Sequence, residues 1–293
     1  MINQIKAHFL LLIATFLVAG SFIASQKLSG VIDPISLTLC RFVFATLFLV
    51  PFIFINKKYR SKVLSTLPRG MVIGFFYSLY FIGLFKALES TTALNTGTLF
   101  TLVPLLTAIF AIFLLKQKIG FIQFIVYIVG IIGTCIVVFK GDLQLFLKFH
   151  LNQGDIIFLF AIISMALYSI STKLVHKKGD ELIVLVFVTL FSGIIWMSLA
   201  LLFMGIPLQW EKISGDLIYY MLYLIIGATL VTVYLYQQAS INLGPKKVMA
   251  YVYINPACIA FLMFIIQGQT IGLKVLIGIL ISSIVTIILL SKD

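Results

Sequence analysis

Ten stretches of roughly 20 predominantly apolar residues, joined by short polar segments, leave this chain one environment in which to fold. An α-helix rises about 1.5 Å per residue, so about 20 residues cross the ~30 Å hydrocarbon layer of a bilayer. The stretches run 7–28, 34–55, 67–86, 91–115, 119–139, 154–175, 181–204, 217–238, 244–266 and 271–290. No soluble core absorbs so many. Hydrophobic residues make up 62% of the 293, charged residues 10%, and the mean hydropathy is +1.18, whereas soluble domains are about half apolar and a quarter charged. The predicted fold is an all-α integral membrane protein with ten transmembrane helices. Lys6, the apolar run 9–18 and the small trio Ala19, Gly20 and Ser21 mimic a cleavable secretory signal. The run stays apolar through Leu28, which is long enough to span, and it reads as the first transmembrane helix.

Orientation follows from the basic residues. With the N-terminus inside, 14 Lys and Arg residues fall in cytoplasmic segments and 5 in outer ones. The largest inside group is Lys57, Lys58, Arg60, Lys62 and Arg69. Short loops with this bias face the cytoplasm, so both termini are expected there, as for a multi-pass protein of a bacterial inner membrane. The same asymmetry accounts for the net charge of +12 with no nucleic-acid partner. Cys40, Cys135 and Cys258 are isolated within apolar spans and have no histidine at ligand spacing, so neither disulfide, metal nor cofactor is expected.

The longest outer connection, 140–153, divides the chain into 1–140 and 141–293, with five spans each. An odd number of crossings makes the second half enter the membrane with the opposite orientation, giving two inverted five-helix repeats in one integrated unit. An offset of 152 residues supports this: it lays the segment 91–120 on 243–272 and superimposes Pro104 on Pro256, Ala108 on Ala260, Gln117 on Gln269 and Gly120 on Gly272. Paired, interrupted hydrophobic segments in corresponding halves are a pointer to a transport site.

The ten-span layout, the early second-span segment from Pro34 through Arg41 to Phe42, and the two proline-centred segments each followed by a glycine resemble the drug/metabolite transporter superfamily, in particular its ten-helix EamA-type members. The resemblance implies a metabolite carrier with a central cavity between the halves, several such proteins being amino-acid exporters. Members commonly carry a glutamate some thirteen residues after the proline. Gln117 and Gln269 stand there in this chain, so no role that needs a carboxylate at those positions carries over.

Candidate substrate-binding residues come from the spans that the repeat pairs. Tyr77 and Tyr80 share one face of the third span, and their partners under the offset are Thr229 and Thr232 in the eighth. Thr98 and Thr101 precede Pro104, and Tyr251 and Asn255 precede Pro256. Each proline removes a backbone donor and leaves a carbonyl four residues earlier without its usual partner, at Phe100 and Val252, so Pro104 and Pro256 are candidate hinges. The sixth span adds Ser164 and Tyr168, and the first adds Ser21 and Ser25. Each of these residues also has a structural reading, because Ser and Thr in membrane helices bond their own carbonyls or glue helices together. Arg41, about two turns inside the second span, either meets a substrate carboxylate, snorkels to the outer surface, or pairs with Glu89 or Asp33.

All nine acidic residues lie in loops or near span ends, so no carboxylate is expected at mid-depth to carry a proton or neutralise a cation. There is no glycine-rich nucleotide loop. The favoured function is a secondary or facilitative transporter, not an enzyme, that moves amino acids or similar small polar metabolites by alternating access, in export or exchange. Uptake or exchange of a nucleoside-like metabolite such as S-adenosylmethionine is the alternative. A membrane enzyme acting on a lipid-linked substrate lacks an evident acid, base or metal cluster. The expected partners are a small-molecule substrate and the lipid bilayer; nothing in the sequence sets an oligomeric state.

Overall fold

The computed structural model describes residues 2–91, 93–148, 151–267 and 272–291, and these are helical nearly throughout. In chain order the helices are α1 (Ile2–Leu28), α2 (Pro34–Ile55), α3 (Lys57–Leu88), α4 (Ala93–Phe100), α5 (Val103–Leu114), α6 (Phe121–Val138), α7 (Leu143–Leu147), α8 (Gln153–Val175), α9 (Leu182–Met204), α10 (Leu217–Ile225), α11 (Thr232–Asn242), α12 (Pro245–Ala250), α13 (Asn255–Gln267) and α14 (Leu273–Ser291). Among the described residues, nine helical segments are long and apolar enough to cross a membrane.

Local chemistry sets the ends. The Asp33 carboxylate caps α2 by accepting from the Ile35 amide at 2.8 Å, with Pro34 at the first helical position. The Asn56 side chain accepts from the Lys58 amide at 3.0 Å. That cap starts α3 ten residues earlier than hydropathy predicts, so 57–66 is helix and not loop. Gly205, at φ +64°, closes α9 in the left-handed conformation.

Among the described residues, three spans are interrupted rather than continuous α-helix. The fourth breaks between α4 and α5 at Thr101 and Leu102, whose amides bond back three residues to Thr98 and Leu99 at 3.1 and 3.0 Å. Pro104 follows directly and has no amide to offer the Phe100 carbonyl. The segment predicted as a ninth continuous span is α12, a 3₁₀ turn over Tyr251–Ile254, and α13, with Pro256 just past the turn. The eighth span is interrupted by a π-helical stretch, Ile226–Val231, between α10 and α11, which no proline announces.

Helix α3 packs along α8 and α9, and α2 along α9. The approach is close because the facing residues are small. A Cβ on Gly74 would lie 2.5 Å from the Thr189 carbonyl oxygen, and one on Gly193 would lie 2.5 Å from the Phe42 ring. Close backbone contact of this kind replaces the hydrophobic drive that lipid removes. The main core gathers side chains from α1, α2, α3, α8, α9, α10 and α11. A smaller one joins Ala108, Tyr127, Ala250, Tyr253, Val285 and Leu289 between α5, α6, the 3₁₀ turn and α14. Large apolar side chains such as Phe121, Phe160, Leu202 and Phe203 point outward, as a bilayer-facing surface requires.

Candidate functional site

The polar interior lies where α2 and α3 meet α8 and the interrupted eighth span. Arg41 stands seven residues into α2, roughly 10 Å along its axis at 1.5 Å per residue. Its side chain is 0% exposed. Nε donates to the Thr229 hydroxyl, Nη2 donates to the Ala228 carbonyl at 2.5 Å, and the guanidinium carbon sits 4.0 Å from the centre of the Phe81 ring. Nη1 is buried without a partner. The π-helical stretch makes this grip possible by placing Ala228 and Thr229 together opposite α2. The Ala228 carbonyl accepts a second bond from the Thr232 hydroxyl at 2.9 Å. Irregular helix of this type recurs at functional positions.

The sequence reading gave Arg41 two other roles, and both are overturned. It does not snorkel, since none of it is exposed. It pairs with neither named acid: Glu89 bonds Lys86 at 2.7 Å, and Asp33 caps α2. Its long stem runs toward neutral partners in the protein interior.

Aromatic rings wall the site. Tyr77 stacks on Tyr168 with centroids 4.5 Å apart and an interplanar angle of 26°, and it stacks on Phe42 at 5.4 Å. Its hydroxyl lies beside Thr232. Tyr80 packs against Phe81 at 4.9 Å and Phe100 at 5.9 Å. Phe100 in turn meets Phe22 of α1 at 5.4 Å. The predicted set Tyr77, Tyr80, Thr229, Thr232, Tyr168 and Arg41 is thus brought together.

Several buried polar groups among the described residues lack a bond. The Tyr168 hydroxyl makes none, although the Gln237 amide lies beside it. Gln237 donates through Nε2 to the Thr189 hydroxyl at 2.9 Å, while its Oε1 accepts nothing. Asn255, 3% exposed, has neither amide atom partnered. Ser25 of α1 is 0% exposed and also unpartnered. Unpaired buried groups are uncommon and each calls for an explanation.

The remaining candidates lie elsewhere. Thr98 and Thr101 are buried at the α4–α5 break, where the Thr101 hydroxyl donates to the Thr98 carbonyl at 2.7 Å. Tyr251 turns away from the cluster: its hydroxyl lies 2.8 Å from Nδ1 of His8 in α1, and the two rings stack with centroids 6.1 Å apart. Ser164 is half-buried, its hydroxyl 3.5 Å from the Phe160 carbonyl of its own helix. Ser21 bonds the Val18 carbonyl at 2.7 Å. Pro104 and Pro256 are both buried directly after helix irregularities. Gln269 lies outside the described residues; Gln117 lines a cavity of about 400 Å³ with Gln123, Lys118, Lys246 and Lys247, away from the aromatic cluster.

Two polar clusters close the ends of the helix layer. At one end Asp155 is fully buried; it accepts from the Thr91 hydroxyl at 2.5 Å, Asn95 Nδ2 at 3.0 Å and the Asn152 amide at 2.9 Å. Sequence reading placed Asp155 only as a residue near a span end. Its local signal was legible, because Asn152 and Asp155 form a reciprocal capping box; its bonds to α4 needed the fold. At the other end Glu181 pairs with Lys58 at 2.8 Å and Lys62 at 3.1 Å, and Asp180 pairs with Arg69 at 2.6 Å.

A multi-pass helical chain, built of two repeats around a buried polar and aromatic centre, defines a membrane transporter. The chain belongs to the EamA-like transporter family, whose sequence profile matches residues 5–139 and again 152–291. A curated relative, the uncharacterized transporter YyaM of Bacillus subtilis strain 168, is 23% identical over 217 residues, which cover 72% of this chain and 70% of the relative. A crystal structure aligns over 98% of this chain and 99% of its own, with a TM-score of 0.70 at 16% identity, a likeness of fold alone.

Proposed function

We propose that this chain is a secondary or facilitative carrier, not an enzyme, that moves amino acids or similar small polar metabolites by alternating access, in export or exchange. The observation that carries this reading is the buried centre itself. Groups from both repeats, Arg41, Tyr77 and Tyr80 from one and Tyr168, Thr229 and Gln237 from the other, meet there away from solvent. The Asp155 and Glu181 clusters sit at opposite ends of α8 and the loop that follows it. A solute held by groups from two halves is released to either side when the halves rock apart at one end or the other. The breaks at Pro104 and Pro256 supply bendable points for that motion.

The aromatic wall also suits S-adenosylmethionine, whose adenine would stack on Tyr80, a ring that meets its neighbours only edge-on or tilted. Both termini are placed in the cytoplasm and the chain in a bacterial inner membrane, a reading supported by the bias of basic residues. Uptake of radiolabelled amino acids into proteoliposomes, with S-adenosylmethionine as competitor, tests the proposal. Saturable uptake of an amino acid supports it. Uptake blocked by S-adenosylmethionine alone favours the second solute, and absence of any uptake overturns the carrier reading.

A further inference from the structure

A fully buried guanidinium in a membrane interior is costly, and proteins offset it with an acid or with backbone carbonyls that use up its donors. Arg41 has no acid partner among the described residues. Asp33, Glu89, Asp155, Asp180 and Glu181 are each engaged elsewhere. Asp142 caps α7, and Glu211 and Asp216 lie in exposed turns. The groups that do surround Arg41 are a threonine hydroxyl, a backbone carbonyl and the face of Phe81. All are neutral, so they orient the charge without cancelling it. They also leave Nη1 unpartnered within a side chain that is 0% exposed.

We infer that Arg41 is the anion-holding group of the transport site and that the transported solute carries a carboxylate or phosphate, which docks on Nη1. This rests on the carrier reading above. The fixed grip on Nε and Nη2 supports it, because a guanidinium already held in place loses little freedom when an oxyanion arrives. Charge-assisted bonds of this kind are the strong ones. The solute supplies the missing negative charge, so the occupied centre is neutral. The rest of the solute has groups to meet. Beyond the Tyr77–Tyr168 stack lie the Tyr168 hydroxyl and Gln237 Oε1, an acceptor suited to an ammonium or hydroxyl. The inference excludes purely cationic and uncharged solutes as preferred cargo.

The test is solute-induced stabilisation of the purified full chain in lipid nanodiscs, since whatever binds the folded state raises its apparent melting temperature. The probes are amino acids, 2-hydroxy acids and phosphate monoesters, each beside a neutral counterpart: amide, amide and alcohol. At least one acid is expected to bind about tenfold or more tightly than its counterpart, the range for a hydrogen bond to a charged group. Whether carboxylates or phosphate monoesters lead the series tells the two anions apart. Arg41→Gln should bring the acid-to-neutral ratio to within about twofold, and Arg41→Lys should keep part of it. The wild-type ratio needs no variant, so it stands even where Arg41→Gln fails to fold. Equal binding of acids and their neutral counterparts would leave the carrier reading intact and overturn this inference, making Arg41 a staple between repeats. Binding of no probe in either series would overturn both.

Discussion

The Arg41 guanidinium in α2 donates to the Thr229 hydroxyl in the π-helical stretch of the eighth span, 188 residues away, so one side chain ties the two repeats together at the buried centre. That contact joins the two halves that alternating access, as proposed, would separate. Any motion that opens the centre must therefore stretch or re-form it, and the residues around it are where substitutions should be felt.

Tyr77 braces the candidate site with a ring stacked on Tyr168 and Phe42. Stacked aromatic pairs are worth about 0.5–1.5 kcal/mol beyond their buried area, so Tyr77→Ala frees Tyr168 and Phe42 from their stacked partner, and a centre that must re-order Tyr168 at about that cost should bind solute about tenfold more weakly. Tyr77→Phe keeps the ring and should stay within about twofold of wild type. Binding isotherms on protein recovered from membranes in equal amounts distinguish the two.

Asn255→Leu should separate stability from function. Both amide atoms are buried and unpaired, and an unpaired buried polar group costs about 1–3 kcal/mol. The leucine variant should melt at a higher temperature than wild type and lose solute-induced stabilisation. A lower melting temperature with unchanged solute response would make Asn255 a packing residue.

Asp155→Ala removes the acceptor shared by Thr91, Asn95 and the Asn152 amide. Leaving those donors buried should cost about 1–3 kcal/mol and loosen that end of α4 against α8. A cysteine at Ser90 should then react faster with a membrane-impermeant maleimide. Asp155→Asn, which retains an acceptor, should show a smaller increase.

The Lys58–Glu181 pair sets a pH window. Hydrogen bonds from Lys58 and Lys62 hold the Glu181 carboxyl below its ordinary 4.5, and the Glu181 bond holds the Lys58 ammonium above its ordinary 10.5. A lowered acid contributes stability above its unfolded value and loses it as pH falls through the lowered one; a raised base contributes below its unfolded value and loses it as pH rises through the raised one. Labelling of a cysteine at Ser61, divided at each pH by the labelling of the same cysteine in denatured protein to remove the thiolate's own pH dependence, should therefore be flat from about pH 5.5 to 8 and rise only in stronger acid. Glu181→Gln should raise the labelling throughout and abolish the acid step.

Much of this fold was legible from hydropathy, and both proline-linked irregularities were legible because a proline's missing amide is a strictly local fact. Tyr77 and Tyr80 were found because α3 is regular and keeps their shared face. Tyr251 was misplaced for the opposite reason. It begins a 3₁₀ turn, where each residue advances about 120° instead of 100°, so Tyr251 no longer shares a face with Asn255 four positions on; it meets His8 instead. The grip on Arg41 was hidden because it depends on the π-helical stretch at Ile226–Val231, which has no proline and which hydropathy cannot see. Ser164 shares a face of α8 with Tyr168 four positions on, yet it is only half-buried and lies beside the Phe160 carbonyl of its own helix.

Solute counterflow tests directly whether the Arg41–Tyr77–Tyr168 centre is the site of an alternating-access carrier. Proteoliposomes would be loaded with unlabelled solute and given a trace of the same solute, labelled, outside. Wild type should accumulate label transiently above equilibrium, and Tyr77→Ala should lose that overshoot while reconstituting normally. Label that enters wild type without an overshoot, or an overshoot undiminished in Tyr77→Ala, would show that this centre is not the site of such a carrier.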